Sequence, residues 1–255
     1  MTVGFLGVGH LASALIAGLL RAGVPAHTLL LSPRGRASQL SSLYGIDVAE
    51  SNAELVRRCD TIVLAVRPQD AARAVSGQPW RDDQVVISVC AGVPLASLPV
   101  APARLVRAMP LTAAEIGASP TVFFPDIGQA RQLIEKLGPA LALRSETEFE
   151  IATVNAAIYG WAQTLIRQSV EWCVAQGTDA AMTRQLVAQT FVAAGRLIAE
   201  RDEPMDDMLT ELVTPGGITE LGLTVLEAGQ QPAVWTKACE AVLARLQEPA
   251  SGAGG

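Results

Sequence analysis

The chain has 255 residues, half of them apolar, with a net charge of −6 and an isoelectric point near 5.0. This length allows one large domain or two of ordinary size, and the apolar content is sufficient for a substantial core. The acidic balance argues against nucleic acid as the main partner, because phosphate binding needs clustered lysine and arginine.

The cysteines and histidines argue against a metal site. The four cysteines are widely spaced and form no zinc-binding pattern, and the sequence has only two histidines. Scattered cysteines in a chain of this length are typical of reduced thiols, so we expect a cytoplasmic protein. The apolar start MTVGFLGVGHLASALIAGLL has no basic segment, so we predict neither a signal peptide nor a membrane span there.

The first part of the chain alternates short apolar runs with helical stretches, which is typical of a parallel sheet with crossover helices. The predicted strands are Thr2–Gly7, His27–Ser32, Thr61–Val66, Gln84–Val89, Ala103–Met109, Pro120–Pro125 and a closing run Pro139–Ser145. Helices are predicted over Leu11–Ala22 and Asp126–Gly138. Further along, apolar residues recur with the helical period and no convincing strand remains. The predicted helical stretches there are Glu148–Gln176, Asp179–Glu200, Met205–Val213, Ile218–Ala228 and Pro232–Gln247.

The change of pattern predicts an α/β domain over residues 1–146, an all-α domain over residues 147–248 and a flexible tail at residues 249–255. Inside the all-α part, Pro215, Gly216 and Gly217 interrupt a helical region. Proline removes a backbone donor, and glycine costs conformational entropy in a helix. The interruption is either a corner between two helices or a place where backbone closely approaches a ligand.

A dinucleotide-binding motif follows the first predicted strand. Gly7, Gly9 and Ala12 form a GxGxxA pattern between that strand and a helix. The first glycine permits a tight turn, the second lets a pyrophosphate approach the backbone, and the helix N-terminus attracts the phosphates. A glycine-rich turn without a ligand is the alternative, but the strand-then-helix setting favours a Rossmann-type nucleotide site.

The second predicted strand indicates which dinucleotide binds. An NAD site places an acidic residue about 20 residues after the glycines, whereas no acidic residue precedes Asp47 here. Ser32, Arg34 and Arg36 instead lie where a 2′-phosphate would be, and the guanidinium group suits phosphate. A solvated basic loop is the alternative interpretation, and NADP(H) is the predicted cofactor.

Five segments, in the same order, resemble the pyrroline-5-carboxylate reductase family. They are the glycine motif, SNAELVRRCDTIVLAVRPQ, ISVCAGVPL, RLVRAMPLTAAEIGAS and VTPGGITELGLTVLEAG. The resemblance covers nearly the whole chain and implies a Rossmann-type domain followed by an all-α dimerisation domain. It implies a homodimer with interleaved helices, open to larger assembly, that transfers hydride from NADPH to the carbon of a small cyclic imine. No metal, nucleic acid or membrane takes part in that implied reaction.

The resemblance assigns roles to matching positions. The implied cofactor contacts are Gly7, Gly9, His10 and Leu11 at the pyrophosphate, Ser32 and Arg34 at the 2′-phosphate, Asn52 at the ribose, and Val66, Arg67, Pro68, Ala91 and Gly92 near the nicotinamide. The implied substrate-side residues are Met109, Pro110, Thr214, Gly216, Gly217 and the catalytic Thr219. An ordinary position in the first turn of a helix is the alternative for Thr219, and the two roles are compatible.

The chain departs from the family pattern on the substrate side. Leu111 and Ala113 stand where the family has asparagine and proline, and Arg67 replaces a lysine. If Glu171 matches the family's helix glutamate, Tyr159–Leu165 (YGWAQTL) replaces a run of small residues that helps to cradle the substrate carboxylate.

The large aromatic residues in this segment have two interpretations. Tyr159 is a candidate catalytic proton donor to the imine nitrogen, because a phenol can act as a general acid. The alternative for Tyr159 and Trp161 is packing in the dimer core, where large aromatic side chains are common.

Several functions remain open at this point. An NADPH-dependent reductase of this family could make proline from 1-pyrroline-5-carboxylate or act on a related cyclic imine. A degenerate paralogue could bind NADP and dimerise without turnover. A β-hydroxyacid-type dehydrogenase is disfavoured, because it needs a lysine on the first C-terminal helix and none occurs there.

Overall fold

The computed structural model describes residues 1–248, so the predicted tail at residues 249–255 lies outside the described part. The chain divides into two compact units. Within the described residues, the first comprises Met1–Ala156 together with residues 243–248, and the second comprises Ala157–Val242. The domain boundary that the sequence predicts at residues 146 and 147 stays a prediction.

The first unit contains one eight-stranded sheet, whose strands are β1 Val3–Leu6, β2 Leu29–Leu31, β3 Asp47–Val48, β4 Thr61–Leu64, β5 Val85–Ser88, β6 Arg104–Met109, β7 Thr121–Phe124 and β8 Ala140–Ala142. The strand order is β3-β2-β1-β4-β5-β6-β7-β8, and every neighbouring pair is parallel except β6 and β7. This order reverses between β1 and β4, where open α/β sheets bind their ligands. The predicted α/β Rossmann-type fold is confirmed.

Helices cover both faces of the sheet. The helices of the first unit are α1 His10–Arg21, α2 Ala37–Tyr44, α3 Asn52–Arg58, α4 Ala71–Val75, α5 Gly128–Ile134 and α6 Glu146–Thr153. Apolar side chains of α1, α2 and α5 form one core cluster with the sheet, and those of α3 and α4 form a second. In β4 the side chain of Val63 joins the first cluster, while Ile62 and Leu64 join the second, as the alternation along a strand requires.

The helices that continue the chain are α7 Asn155–Ala175, α8 Ala180–Glu200, α9 Met205–Leu212, α10 Ile218–Ala228 and α11 Gln231–Gln247. The predicted change from an α/β to an all-α pattern is confirmed. Large apolar side chains are exposed along this part of the chain, on α7, α8, α9, α10 and α11. Large apolar side chains exposed in this number are typical of an interaction surface. Within the described residues, no helix combines the length and apolar character needed to cross a membrane.

Several details differ from the sequence prediction, and one of them is the unpredicted strand β3. The strands β6 and β7 are antiparallel, so the sheet is not wholly parallel. The predicted helical stretch Glu148–Gln176 is two helices, because the N–H of Val154 bonds to the carbonyl of Ile151 at 3.2 Å and closes a tighter turn between α6 and α7. Apolar periodicity continues on both sides of this turn, so the sequence pattern did not mark it.

Candidate cofactor and imine site

The glycine turn after β1 lies against the end of β4. Gly7 has a φ of +96°, and a Cβ at this position would lie 2.7 Å from the carbonyl oxygen of Ala65 and from Cγ1 of Val66. Only glycine satisfies both the left-handed backbone and the close approach. The turn therefore sits at the carboxyl ends of β1 and β4, beside the switch point of the sheet.

The start of α1 is open where a pyrophosphate would lie. Gly9 is the N-cap residue of α1, and no side chain caps the first turn. A Cβ built on Gly9 would have no protein atom within 4 Å, and His10 beside it is exposed. Free backbone N–H groups and the helix dipole attract phosphate at such an end. The local structure therefore fits the cofactor role predicted for Gly9, His10 and Leu11.

The loop after β2 is fastened to the glycine turn. The Ser32 side chain is buried, and its Oγ accepts a hydrogen bond from the N–H of Gly7 at 2.9 Å. The N–H of Arg36 donates to the carbonyl of Val8 at 2.8 Å, and Gly35, with φ of +75°, leaves no room for a Cβ against that same carbonyl. Ser32 thus has a structural role, and its role at a 2′-phosphate stays a prediction.

Two arginines project from this loop without a carboxylate partner. Arg34 and Arg36 are exposed, and neither takes part in an ion pair anywhere in residues 1–248. Two arginines that are close in sequence and lack a carboxylate partner among the described residues favour an anion with several acceptor oxygens. Asn52 begins α3 just after β3 and is half-buried, at the carboxyl edge of the neighbouring strand. These positions fit the adenosine half of NADP(H).

The predicted nicotinamide-side residues follow β4 and β5. Val66 and Arg67 follow β4, and Cys90 joins the two strand ends by donating its thiol to the carbonyl of Val66 at 3.4 Å. Burial raises the pKa of the Cys90 thiol, so this group stays protonated and able to donate. Gly92 has a φ of +67°, and a Cβ there would lie 3.1 Å from the carbonyl oxygen of Leu246.

The segment after β6 is packed rather than open. Met109 and Pro110 are buried at the end of β6. Leu111, one of the departures from the family pattern, is buried as well, and its N–H donates to Oγ of Ser119 at 2.8 Å. Leu111 is therefore a core residue of the first unit, and its side chain does not contribute a polar contact to a substrate.

The break at Pro215, Gly216 and Gly217 is a corner between α9 and α10. Gly216 has a φ of +73°, and its N–H donates to Oε2 of Glu220 at 2.6 Å. The N–H of Gly217 donates to the carbonyl of Thr214 at 2.8 Å, and a Cβ on Gly217 would meet that carbonyl at the same distance.

Glu220 was not predicted, although a glutamate in the first turn after a glycine pair is a recognisable capping signal. Thr219 lies in that same first turn of α10 and is half-buried. The substrate and catalytic roles of Thr214, Gly216, Gly217 and Thr219 stay predictions.

In α7, the segment Tyr159–Leu165 that departs from the family pattern contains an aromatic side chain packed against another ring. The ring of Trp161 lies edge-on to the ring of Trp235, with centroids 5.2 Å apart and planes at 83°. This is a favourable aromatic arrangement within one chain. Tyr159 is half-buried on the same helix, and its proposed role as proton donor stays a prediction.

Sequence reasoning missed a charged cluster in the first unit. Arg107 on β6 is 1% exposed and pairs through Nη1 with Glu146, at 2.8 Å, and with Glu150 of α6. Its guanidinium carbon lies 4.5 Å from the centroid of the Phe149 ring. The cluster lines a cavity of about 620 Å³ that Pro68 and Gly92 also line. The available signal was Arg107 inside the otherwise apolar run LVRAM, since buried arginine requires acidic partners.

Two family models match the chain in sequence order. Residues 2–92 match "NADP oxidoreductase coenzyme F420-dependent", and residues 146–249 match "Pyrroline-5-carboxylate reductase dimerisation". The first match contains the glycine turn, the arginine loop and the ends of β4 and β5. The second contains α6 to α11.

Similar proteins align with nearly the whole chain. Pyrroline-5-carboxylate reductase of Pseudomonas aeruginosa is 29% identical, with 96% of each chain covered. Pyrroline-5-carboxylate reductase 2 of Bacillus subtilis is 28% identical, with 88% of this chain and 86% of the relative covered. The solved structure of 1-pyrroline-5-carboxylate reductase from Streptococcus pyogenes has a TM-score of 0.86 at 25% identity and covers 98% of this chain and 99% of its own. A Streptomyces aurantiacus imine reductase shares the fold, with a TM-score of 0.56 at 17% identity and coverage of 96% and 93%.

Proposed function

Because this chain is a divergent member of the pyrroline-5-carboxylate reductase family, we propose that it reduces a small cyclic imine by direct hydride transfer from NADPH. At the coarser level, the protein is an NADP-dependent oxidoreductase that acts on C=N bonds. The observation that carries the cofactor assignment is the open, uncapped start of α1 beside the two unpaired arginines, Arg34 and Arg36.

The residues of the first unit have distinct roles in this proposal. Gly7 and Gly9 admit the pyrophosphate to the backbone, while Arg34 and Arg36 bind the 2′-phosphate. NADPH supplies the hydride when it is bound. The protein supplies position, because a hydride donor and an imine carbon held in reacting geometry need no metal and no covalent intermediate.

The residues of the second unit are assigned to the imine. Thr214, Gly216 and Gly217 present backbone to the substrate, and Thr219 hydrogen-bonds the imine nitrogen. Tyr159 is the second candidate for the proton that the nitrogen takes up. Trp161 packs on Trp235, which supports an altered substrate wall, because bulky aromatic rings occupy part of the segment where the family has small residues.

The altered wall leads to a prediction about substrate preference. We expect turnover with cyclic imines and only a small advantage for 1-pyrroline-5-carboxylate over 1-pyrroline, less than about tenfold in kcat/KM. A hydrogen bond to a charged group contributes about 1.5–3 kcal/mol, or roughly 10–150-fold in kcat/KM. The residues that would make such bonds to the substrate carboxylate are replaced in this chain. NADPH oxidation measured with 1-pyrroline-5-carboxylate, 1-pyrroline, 2-methyl-1-pyrroline and a six-membered imine tests this.

The outcomes of this assay separate the alternatives. An advantage of more than 100-fold for the carboxylated imine would contradict the altered pocket and favour proline synthesis. Absence of turnover with every imine, despite tight NADPH binding, would support the degenerate paralogue. Turnover of a 3-hydroxy acid with NADP⁺ instead would support the β-hydroxyacid-type dehydrogenase.

We also propose a homodimer formed through the C-terminal helices. The dimerisation model matches residues 146–249, and large apolar side chains on α8 and α10 are exposed, including Leu186, Leu221 and Val225. Light scattering after size exclusion is expected to give at least twice the chain mass of 26.7 kDa. A monomer at micromolar concentration would contradict this proposal.

A further inference from the structure

One carboxylate oxygen joins two distant parts of the first unit. Oε1 of Glu146 accepts a hydrogen bond from the N–H of Leu95 at 2.8 Å and another from Nη1 of Arg107 at 2.8 Å. Leu95 begins a 3₁₀ turn, Leu95–Ser97, that follows the Ala91–Gly92 turn by only three residues. Glu146 therefore fixes the segment after β5 to both β6 and α6.

Joining three elements through buried charges costs desolvation free energy that apolar packing would avoid. Arg107 is 1% exposed, and its Nε and Nη2 have no hydrogen-bond partner within the described chain. Apolar residues of similar volume often stabilise a fold as well as a buried ion pair does, or better. The directional bonds of Glu146 instead define where the Leu95 backbone lies, which apolar contact alone does not achieve.

The segment held in this way borders the predicted nicotinamide position. Gly92 lines the same cavity of about 620 Å³ as Arg107, Glu146 and Pro68. The Ala91–Gly92 turn is also restrained on its other side, where Gly92 lies close to the carbonyl of Leu246. Loss of the Glu146 bonds would remove one restraint on the segment that contains this turn.

We propose that Glu146 and Arg107 are positioning residues that hold the Ala91–Gly92 turn against the nicotinamide half of NADP(H). The inference rests on the proposed function, because it takes the cofactor and its orientation from there. Neither side chain needs to touch the cofactor. They affect the position of the turn through the backbone between Leu95 and Ala91. This role differs from a general contribution to stability, because it changes the binding of the nicotinamide half of the cofactor only.

Binding measurements on Glu146→Ala test the proposal without requiring turnover. Arg107 keeps Glu150 in this variant, so the buried guanidinium is not left unpaired and the fold is retained. NADPH is compared with 2′,5′-ADP, which contains the adenosine 2′-phosphate but no nicotinamide. We expect the affinity for NADPH to fall about tenfold, since a turn that has lost one restraint must be ordered again when the nicotinamide half binds. The affinity for 2′,5′-ADP is expected to stay within twofold.

Two further variants sharpen the comparison. Glu146→Gln keeps an oxygen that accepts from Leu95, so we expect NADPH affinity within about threefold of the wild type. Glu148→Gln changes a neighbour on the same helix that pairs with the exposed Arg144, and it is the matched control. The fluorescence enhancement of bound NADPH, which reports the surroundings of the nicotinamide, is expected to fall in Glu146→Ala alone.

The results separate this proposal from the proposed function. If Glu146→Ala lost equal affinity for NADPH and 2′,5′-ADP, the cluster would have only a structural role, and the proposal would be wrong. Unchanged NADPH affinity in this variant would also overturn the positioning role. Absence of imine turnover in the wild type would overturn the proposed reaction, while the binding comparison would still decide the role of Glu146.

Discussion

Replacement of Arg34 and Arg36 together by alanine is expected to remove most of the preference for NADPH over NADH. Both guanidinium groups are exposed and lack a carboxylate partner among the described residues, so their charge is available to the 2′-phosphate. Charge-assisted hydrogen bonds contribute roughly 1.5–3 kcal/mol each, which gives an expected loss of about 100-fold to 10,000-fold in NADPH affinity for the pair. NADH affinity should change little.

Fluorescence titration of both cofactors measures this directly, and the salt dependence gives a second readout. The loss should be greatest at low ionic strength, because screening weakens exposed charges. Arg21→Ala is the matched control, since this exposed arginine lies at the opposite end of α1 from the glycine turn. Equal affinity of the wild type for NADPH and NADH would contradict the assignment of the arginine loop.

The fold of the first unit could be predicted because its signals are local. Gly7 and Gly9 stand between an apolar run and a helical run, and Thr61–Val66 is a continuous apolar strand. The direction of β7 could not be predicted, since Thr121–Phe124 has the same apolar character in either orientation. The short strand Asp47–Val48 has exposed side chains and therefore no apolar signal.

The site was only partly predictable for a similar reason. Positions next to a strand end, such as Val66 or Gly92, could be assigned because the resemblance to the family covers those segments. The bonds of Glu146 to Arg107 and Leu95 join residues 39 and 51 positions apart, and no local pattern encodes that distance. The prediction for Ser32 was also incomplete. Its hydrogen bond with the N–H of Gly7 depends on how the loop after β2 folds back, which the sequence pattern does not indicate.

We expect Gly7→Ala to lower the stability of the fold and Gly9→Ala to weaken cofactor binding. Alanine at position 7 would need a φ near +96° and would place Cβ 2.7 Å from a backbone carbonyl. The left-handed backbone costs about 1–2 kcal/mol, and the clash adds to it. At about 2–4 °C per kcal/mol for a chain of this size, we expect the Tm of Gly7→Ala to fall by roughly 5–10 °C without any ligand.

Gly9→Ala is expected to leave the free protein intact and to weaken cofactor binding. Gly9 has a φ of −96°, which alanine adopts readily, and a Cβ there would meet no protein atom within 4 Å. The Tm should therefore stay within about 1 °C of the wild type, or rise slightly because alanine restricts the unfolded chain. The added methyl group would occupy the space that the pyrophosphate needs, so NADPH affinity should fall about 100-fold.

Thermal melting of both variants, with and without NADPH, distinguishes a cofactor site from a structural glycine turn. A ligand at 100 times its Kd stabilises a protein by about 2.7 kcal/mol, so the wild type should melt several degrees higher with NADPH. Gly9→Ala should lose that increase while keeping its unliganded Tm. If Gly9→Ala instead bound NADPH as tightly as the wild type, the free space above Gly9 would not be the pyrophosphate position, and the Rossmann-type motif would have to bind its ligand elsewhere or not at all.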